Sequence, residues 1–213
     1  MYKTGIETRQ NIINKAKKLF LKHGFKNTSV QQICQASNTK LGTFTYYFPK
    51  KNDLFSVIYS DYMQRCVEYV ESKKPKLSPA KHHLYSVMLY YGNLYRNEKL
   101  VAFHKEALSI ASMNAWFQDP RILISEYSGK NISKMDSAFY DLCAKADNAV
   151  RRELNLDFIA SKDHSIKKIK ELLESIYLIN ARLFGVDRDL TMQYLNDAYK
   201  FYLQNQDNNI TLL

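Results

Sequence analysis

Thr28-Ser-Val-Gln-Gln-Ile-Cys-Gln-Ala-Ser-Asn-Thr-Lys-Leu-Gly-Thr-Phe-Thr-Tyr-Tyr-Phe48 is the stretch that decides the fold. Thr28 followed three residues later by Gln31 reads as a capping box: the hydroxyl accepts from a free backbone N–H and the Gln side chain reaches back to the cap. Val30 and Ile33 make a short apolar face. The helix has to stop near Ser37-Asn38, because Asn tolerates the left-handed backbone of a tight interhelical turn. A second helix begins at Thr39 or Lys40, with Phe44 and Phe48 four residues apart and directed inward. Thr43, Thr45, Tyr46 and Tyr47 are left to point elsewhere. Two short helices around such a turn form a helix-turn-helix, whose second helix reads base edges in the major groove of DNA while the first crosses the backbone.

Upstream, a helix is expected from about Ile6 to His23, with Ile12, Ala16, Leu19 and Phe20 as its inner stripe and Gly24 as its C-cap. Downstream, Pro49 marks a break, and a long helix starting near Lys50 carries Leu54, Ile58, Met63, Val67 and Val70 toward a second domain. Residues 73–79 read as a linker, with Ser78-Pro79 starting the next helix. Further helices are predicted near 79–96, 98–114, 120–126, 129–153, 164–185 and 188–204, with a loop over 155–163 and a frayed tail from Asn205. Few segments alternate with period two, and there are only six glycines and four prolines. The chain is therefore read as all-α: a three-helix DNA-binding domain over 1–50 joined to a larger helical ligand-binding and dimerisation domain over 51–213.

Charge supports this division. Of a formal net charge of +10, residues 1–60 hold +8, from ten basic side chains against two acidic ones. A polyanion partner is implied. No N-terminal signal peptide is read, and no stretch approaches the ~18 apolar residues needed to span a bilayer. Three scattered cysteines, Cys34, Cys66 and Cys143, fit a reducing compartment. A cytoplasmic protein without membrane contact is expected. No nucleophile elbow, zinc-protease motif or phosphate-cradling glycine loop is present. His82-His83 and the His104/Glu106 pair have the wrong helical spacing for a shared metal. No catalytic residue, metal site or cofactor is assigned, and an all-α enzyme or a protein–protein adaptor is the alternative reading.

Taken together, Thr28-x-x-x-x-Ile33, Gly42-Thr43-Phe44-x-x-Tyr47-Phe48 and Lys51-x-Asp53-Leu54-Phe55 resemble the DNA-binding domain of the tetracycline-repressor (TetR) family of bacterial regulators, over about residues 6 to 58. The chain departs from the usual pattern at Ser37-Asn38, where Ala-Gly is common, at Lys40-Leu41, where Ser-Lys is common, and at Thr45, where Tyr is common. On this basis Thr28 is expected to donate to a phosphate from a helix N-terminus. Tyr47 and Lys51 match the family's phosphate-contacting aromatic and the lysine that opens its fourth helix. Lys40 is placed at the groove edge, and Thr43, Thr45 and Tyr46 are candidates for base contact. Gly42 suggests a close backbone approach.

The resemblance also implies a homodimer on a palindromic double-stranded DNA operator, with a small-molecule effector in the second domain. The apolar positions of the 164–185 helix cover an arc of roughly 160°, wider than the ~100° of an ordinary surface helix. The resemblance implies that this helix and the last one pair with their symmetry mates, which assigns Ile169, Leu173, Ile176 and Leu183, with Leu195, Tyr199 and Tyr202 on the last helix, to a dimer interface; burial of both helices inside a monomer is the alternative. For the effector pocket, which is expected to be mostly apolar, Tyr91, Phe103, His104, Trp116 and Phe139 are nominated from an aromatic-rich second domain.

Overall fold

The computed structural model describes residues 3–110 and 137–213, and among these it contains helices and turns but no strand. The order is α1 (Lys3–His23), α2 (Val30–Ser37), α3 (Leu41–Tyr47), α4 (Asp53–Lys73), α5 (Pro79–Leu94), α6 (Glu98–Ile110), α7 (Ser137–Ala160), α8 (Ile166–Phe184) and α9 (Arg188–Gln204). The helix predicted over 120–126, the end of the one over 98–114 and the start of the one over 129–153 lie outside the described residues, as does Trp116.

The first three helices form a compact head. Gly24 ends α1 with φ of 81°, a left-handed conformation that a side chain would strain. The cap of α2 is Ser29, not Thr28. Gln32 N–H donates to Ser29 Oγ at 3.1 Å, and Ser29 N–H donates to Gln32 Oε1 at 2.7 Å. The capping box is thus real but one residue later than Thr28/Gln31. Thr28 is buried, and its hydroxyl donates back to Gly24 O at 2.8 Å, so it closes the preceding turn instead. Asn38 takes the expected left-handed conformation, φ 52°. Next to it, the buried Ser37 hydroxyl lies within hydrogen-bonding distance of Ile33 O (2.7 Å) and Thr39 Oγ1 (2.8 Å). The Ser-Asn turn therefore satisfies its own polar groups.

In the second body α5 is central. Every residue from His83 to Leu94 is buried, between α4 on one side and α8 and α9 on the other. A helix buried all round must meet neighbours closely, and Gly92 shows where: a Cβ there would stand 2.4 Å from the ring of the buried Tyr202. Two expectations fail in this body. Residues 155–160 are not a loop; α7 continues to Ala160, because Asn155 is sealed in the core, where its Nδ2 donates to Arg151 O at 2.7 Å. The tail past Asn205 is not frayed. Asn93 and Asn208 exchange amide hydrogen bonds (2.7 and 3.3 Å), Arg65 and Arg96 donate to Thr211 O and Gln206 O, and Leu212 is buried in the common core.

One hydrophobic cluster runs unbroken from Ile12 in the head to Leu212 in the tail. At the junction, Phe103 of α6 sits 5.6 Å from Phe20, 5.3 Å from Phe55 and 6.1 Å from Tyr59, and Phe25 lies 4.1 Å from Phe55. Beside these rings the carboxylate of Glu106 accepts from the backbone N–H groups of Phe25 (2.7 Å) and Lys26 (3.2 Å). Replacing Glu106 with Ala leaves two loop donors without their charged acceptor. It is expected to lower unfolding stability by about 1 to 3 kcal/mol and to speed amide exchange at Phe25 and Lys26. Gly92→Ala is expected to cost about 1 to 3 kcal/mol through overpacking against Tyr202, read as a lower denaturation midpoint at unchanged slope.

Candidate nucleic-acid interface

The head sorts its side chains by helical geometry. On α3, Phe44 and Phe48 turn inward with ring centroids 5.7 Å apart, and Arg9 of α1 stacks over Phe48 at 5.3 Å. The opposite side is open: Tyr46 is 76% exposed, Leu41 56%, and Lys40, Gly42 and Thr45 are exposed as well. Thr43 is half-buried. Tyr47, packed partly on the core, meets Tyr46 edge-on at 5.0 Å. Lys40, Gly42, Thr43, Thr45, Tyr46 and Tyr47 thus belong to one short element with a common outer face. Gly42 makes no close approach within the chain, since a Cβ there would meet nothing within 4 Å. Thr45 turns its hydroxyl back onto the carbonyls of Leu41 (3.0 Å) and Gly42 (3.1 Å). Leu41, passed over in the sequence except as a departure from pattern, is the most exposed aliphatic residue of this helix.

Two nominated residues do a different job. Thr28 is 1% exposed, and its N–H and hydroxyl both donate within the chain, to Phe25 O and Gly24 O. It has no donor left for a phosphate. Lys51 is half-buried; its Nζ donates to Phe25 O and Thr28 O, both at 2.8 Å, and lies 4.1 Å from the Phe25 ring centroid. Burial lowers its pKa, an effect partly opposed by the nearby Glu106 carboxylate. The sequence gives no sign of this, because a lysine opening a helix next to a basic segment looks like a surface cation.

The residues assigned to a dimer face are mostly inside the chain. Ile169, Leu173, Ile176, Leu195 and Tyr202 are each buried, and only Leu183 and Tyr199 are half-buried. The arc of α8 is wide because α8 serves α5, α7 and α9 together. The apolar residues left outside on these two helices are Leu178 and Leu203.

The nominated ligand residues separate too. Phe139 is exposed at the start of α7. Phe103 belongs to the head–body junction. Tyr91 and His104 share a buried polar cluster that the sequence did not bring together. In it, Tyr59 OH and His104 Nδ1 are 2.8 Å apart, Tyr95 OH donates to Asn155 Oδ1 at 2.6 Å, and Asn155 Nδ2 approaches Tyr91 OH at 3.3 Å. Further along, His83 Nε2 and Tyr177 OH are 2.7 Å apart, and Arg151 pairs with Asp147 at 3.1 Å. Among the described residues no three His, Cys, Asp or Glu side chains gather as a metal ligand set. No described helix is long and apolar enough to cross a membrane.

Complete burial drives the His104 pKa down to about 3, partly opposed by the neighbouring Asn155 amide. The folded protein therefore holds this imidazole neutral, while the unfolded chain protonates it below about 6.5. Its contribution to stability is intact above that value and is lost as the pH falls from there toward 3. His104→Gln is expected to flatten the decline of the melting temperature over this window, measured as a series of melting curves.

Residues 12–58 match the family model "Bacterial regulatory proteins, tetR family". Over 53 residues the chain is 40% identical to the HTH-type transcriptional regulator AcrR of Shigella flexneri, a match spanning 25% of each protein. Across 92% of this chain and 96% of the other, the fold is similar to the crystal structure of RolR in complex with resorcinol, at TM-score 0.56 and 16% identity. TylP, a tetR regulator from Streptomyces fradiae, aligns over 92% of each chain at TM-score 0.49 and 13% identity. The likeness to RolR extends the shared fold beyond the head to the helical body. Over residues 12–58, the head is thus similar to the bacterial regulatory proteins of the tetR family, and the chain spans about a quarter of the curated relative that it matches.

Proposed function

We propose that the protein is a homodimeric repressor that binds a palindromic operator through α3 and is released from it by a small-molecule effector held in the body. The observation that carries the DNA-binding reading is the exposed face of α3 on a head with +8 of charge in its first sixty residues. Such a head meets phosphates with its outward cations and base edges with α3. Lys40 and Lys50 are exposed and flank that helix, so they take the phosphate role that Thr28 and Lys51 cannot. Tyr46, Thr43 and Thr45 meet the groove, and Tyr47 supports them from the rim of the core.

Two copies are required because each presents one reading helix, and a palindrome offers two half-sites related by the same symmetry. Pairing uses the outward sides of α8 and α9, where Leu178 and Leu203 remain uncovered. The effector acts on the buried set around Tyr91, Tyr95, His104 and Asn155. A route to the head is short: His104 faces this set, while Phe103 and Glu106, on the same helix, touch the head directly. A ligand that shifts α6 and the adjoining α4 changes how the heads are held. It releases DNA only in proportion to its different affinities for the two states.

The decisive measurement is selection of duplexes from a random pool by the full chain, followed by titration at several salt concentrations. A preferred inverted-repeat sequence is expected, and failure to prefer the selected duplex over a scrambled one would count decisively against the reading. Lys40→Ala is expected to reduce the salt slope of log K by about 1.8, the value for two phosphate contacts, one from each protomer. Lys51→Ala is expected to weaken binding to every sequence with the slope unchanged, because its charge holds the loop and not the DNA.

A further inference from the structure

The chemistry of the reading face goes one step beyond DNA binding as such. We infer that α3 selects half-sites rich in thymine by burying thymine methyl groups, with Leu41 and Tyr46 as the specificity-determining residues; this rests on the DNA-binding reading above. In the major groove guanine and adenine are recognised by paired heads, Arg or Lys on guanine and Asn or Gln on adenine, whereas thymine offers a 5-methyl group to apolar contact. Between Leu41 and Tyr47 there is no Arg, Lys, Asn or Gln. The outward groups are Leu41, 56% exposed, and Tyr46, 76% exposed, with Gly42 and Thr45 beside them.

The polar capacity of this face is smaller still than its composition suggests. Thr45 already gives its hydroxyl hydrogen to the carbonyls of Leu41 and Gly42, at 3.0 and 3.1 Å. Its methyl group and a lone pair are what remain for a base. Leu41 and Thr45 are one helical turn apart and share a ridge, as do Gly42 and Tyr46. At Gly42 a side chain would meet nothing within 4 Å, so the helix carries a notch between Leu41 and Tyr46. A base-pair edge can enter that notch and place its methyl group against carbon on both sides. Exposed leucine and tyrosine cost solubility and contribute nothing to the core of the head; on a DNA-facing helix they gain a partner. Lys40, just before the helix, adds a point charge without the two-headed geometry of base recognition.

The test replaces thymine by deoxyuridine, one position at a time, in the duplex that the full chain selects from a random pool. This removes only the 5-methyl group and keeps every base pair. Affinity is expected to fall by about fourfold at each contacted methyl, the worth of one buried methylene-sized group. Leu41→Ala is expected to erase the thymine–uracil difference at one position of each half-site, and Tyr46→Ala at a neighbouring one. Both side chains are exposed, so both variants are expected to keep the helical circular dichroism and melting curve of the parent chain. Sequence-specific binding with guanine and cytosine at the read positions, or with no loss at any uracil, overturns the methyl reading and leaves the DNA-binding one standing. No preference for the selected duplex over a scrambled one overturns both.

Discussion

The α1–α2 loop is held from two sides by opposite charges, and the orientation of the whole head depends on it. From the turn before α4, the Lys51 ammonium donates to the carbonyls of Phe25 and Thr28; from α6, the Glu106 carboxylate accepts from the N–H groups of Phe25 and Lys26. Loop backbone groups next to a core must find partners or bear a desolvation penalty. Here they find them on α6 and on the turn that leads into α4. The loop leads directly into Ser29 and the cap of α2, so the start of the helix-turn-helix is positioned by residues 51 and 106 as much as by its own sequence. The Phe20, Phe25, Phe55 and Phe103 rings fill the space behind these charges and exclude water, which strengthens both sets of bonds.

The body solves a different problem, the burial of many polar groups. Tyr59, Tyr62, Tyr90, Tyr91, Tyr95, Tyr177 and Tyr202 are all sealed away, and burial raises the phenol pKa of each. Their rings supply apolar area while their hydroxyls seek partners. Tyr62 finds the carbonyl of Tyr90, Tyr95 finds Asn155, and Tyr177 pairs with His83. This requirement explains why α7 runs on through Asn155: the amide must reach the middle of the body, and only a continued helix carries it there. Within this cluster the buried Nε2 of His104 has no hydrogen-bond partner among the described residues, which leaves a polar group that a small ligand can pair with. That is the physical basis for seating the effector reading here.

Much of the architecture was legible from local chemistry. Gly24, the Ser37-Asn38 turn, Ser78-Pro79 and the Phe44/Phe48 spacing each act within four residues, and each stands where local rules place it. The capping box was one residue out because Thr28 and Ser29 are both competent caps, and the choice between them was made by which one the core swallowed. Thr28 and Lys51 were assigned to DNA because their positions match the family pattern and their residue types suit phosphate, and their burial is not written in their neighbours. Ile169, Leu173, Ile176 and Leu195 were recognisable as apolar, but whether an apolar face meets its own chain or a second copy is a question of packing. The tail from Asn205 looked too polar to order, yet its asparagines are partners for Asn93 and Tyr69, residues more than a hundred positions away.

The amino-acid sequence by itself determined the all-helical class, the helix-turn-helix and its positive charge, since periodicity, capping and net charge are properties of short segments or of simple sums. Only the tertiary structure decided which side chains of that head are free, where α8 and α9 are already covered, and how His104, Asn155 and three tyrosines come to share one interior. Those outcomes depend on contacts between distant segments, where burial and hydrogen-bond satisfaction outweigh what any residue prefers alone.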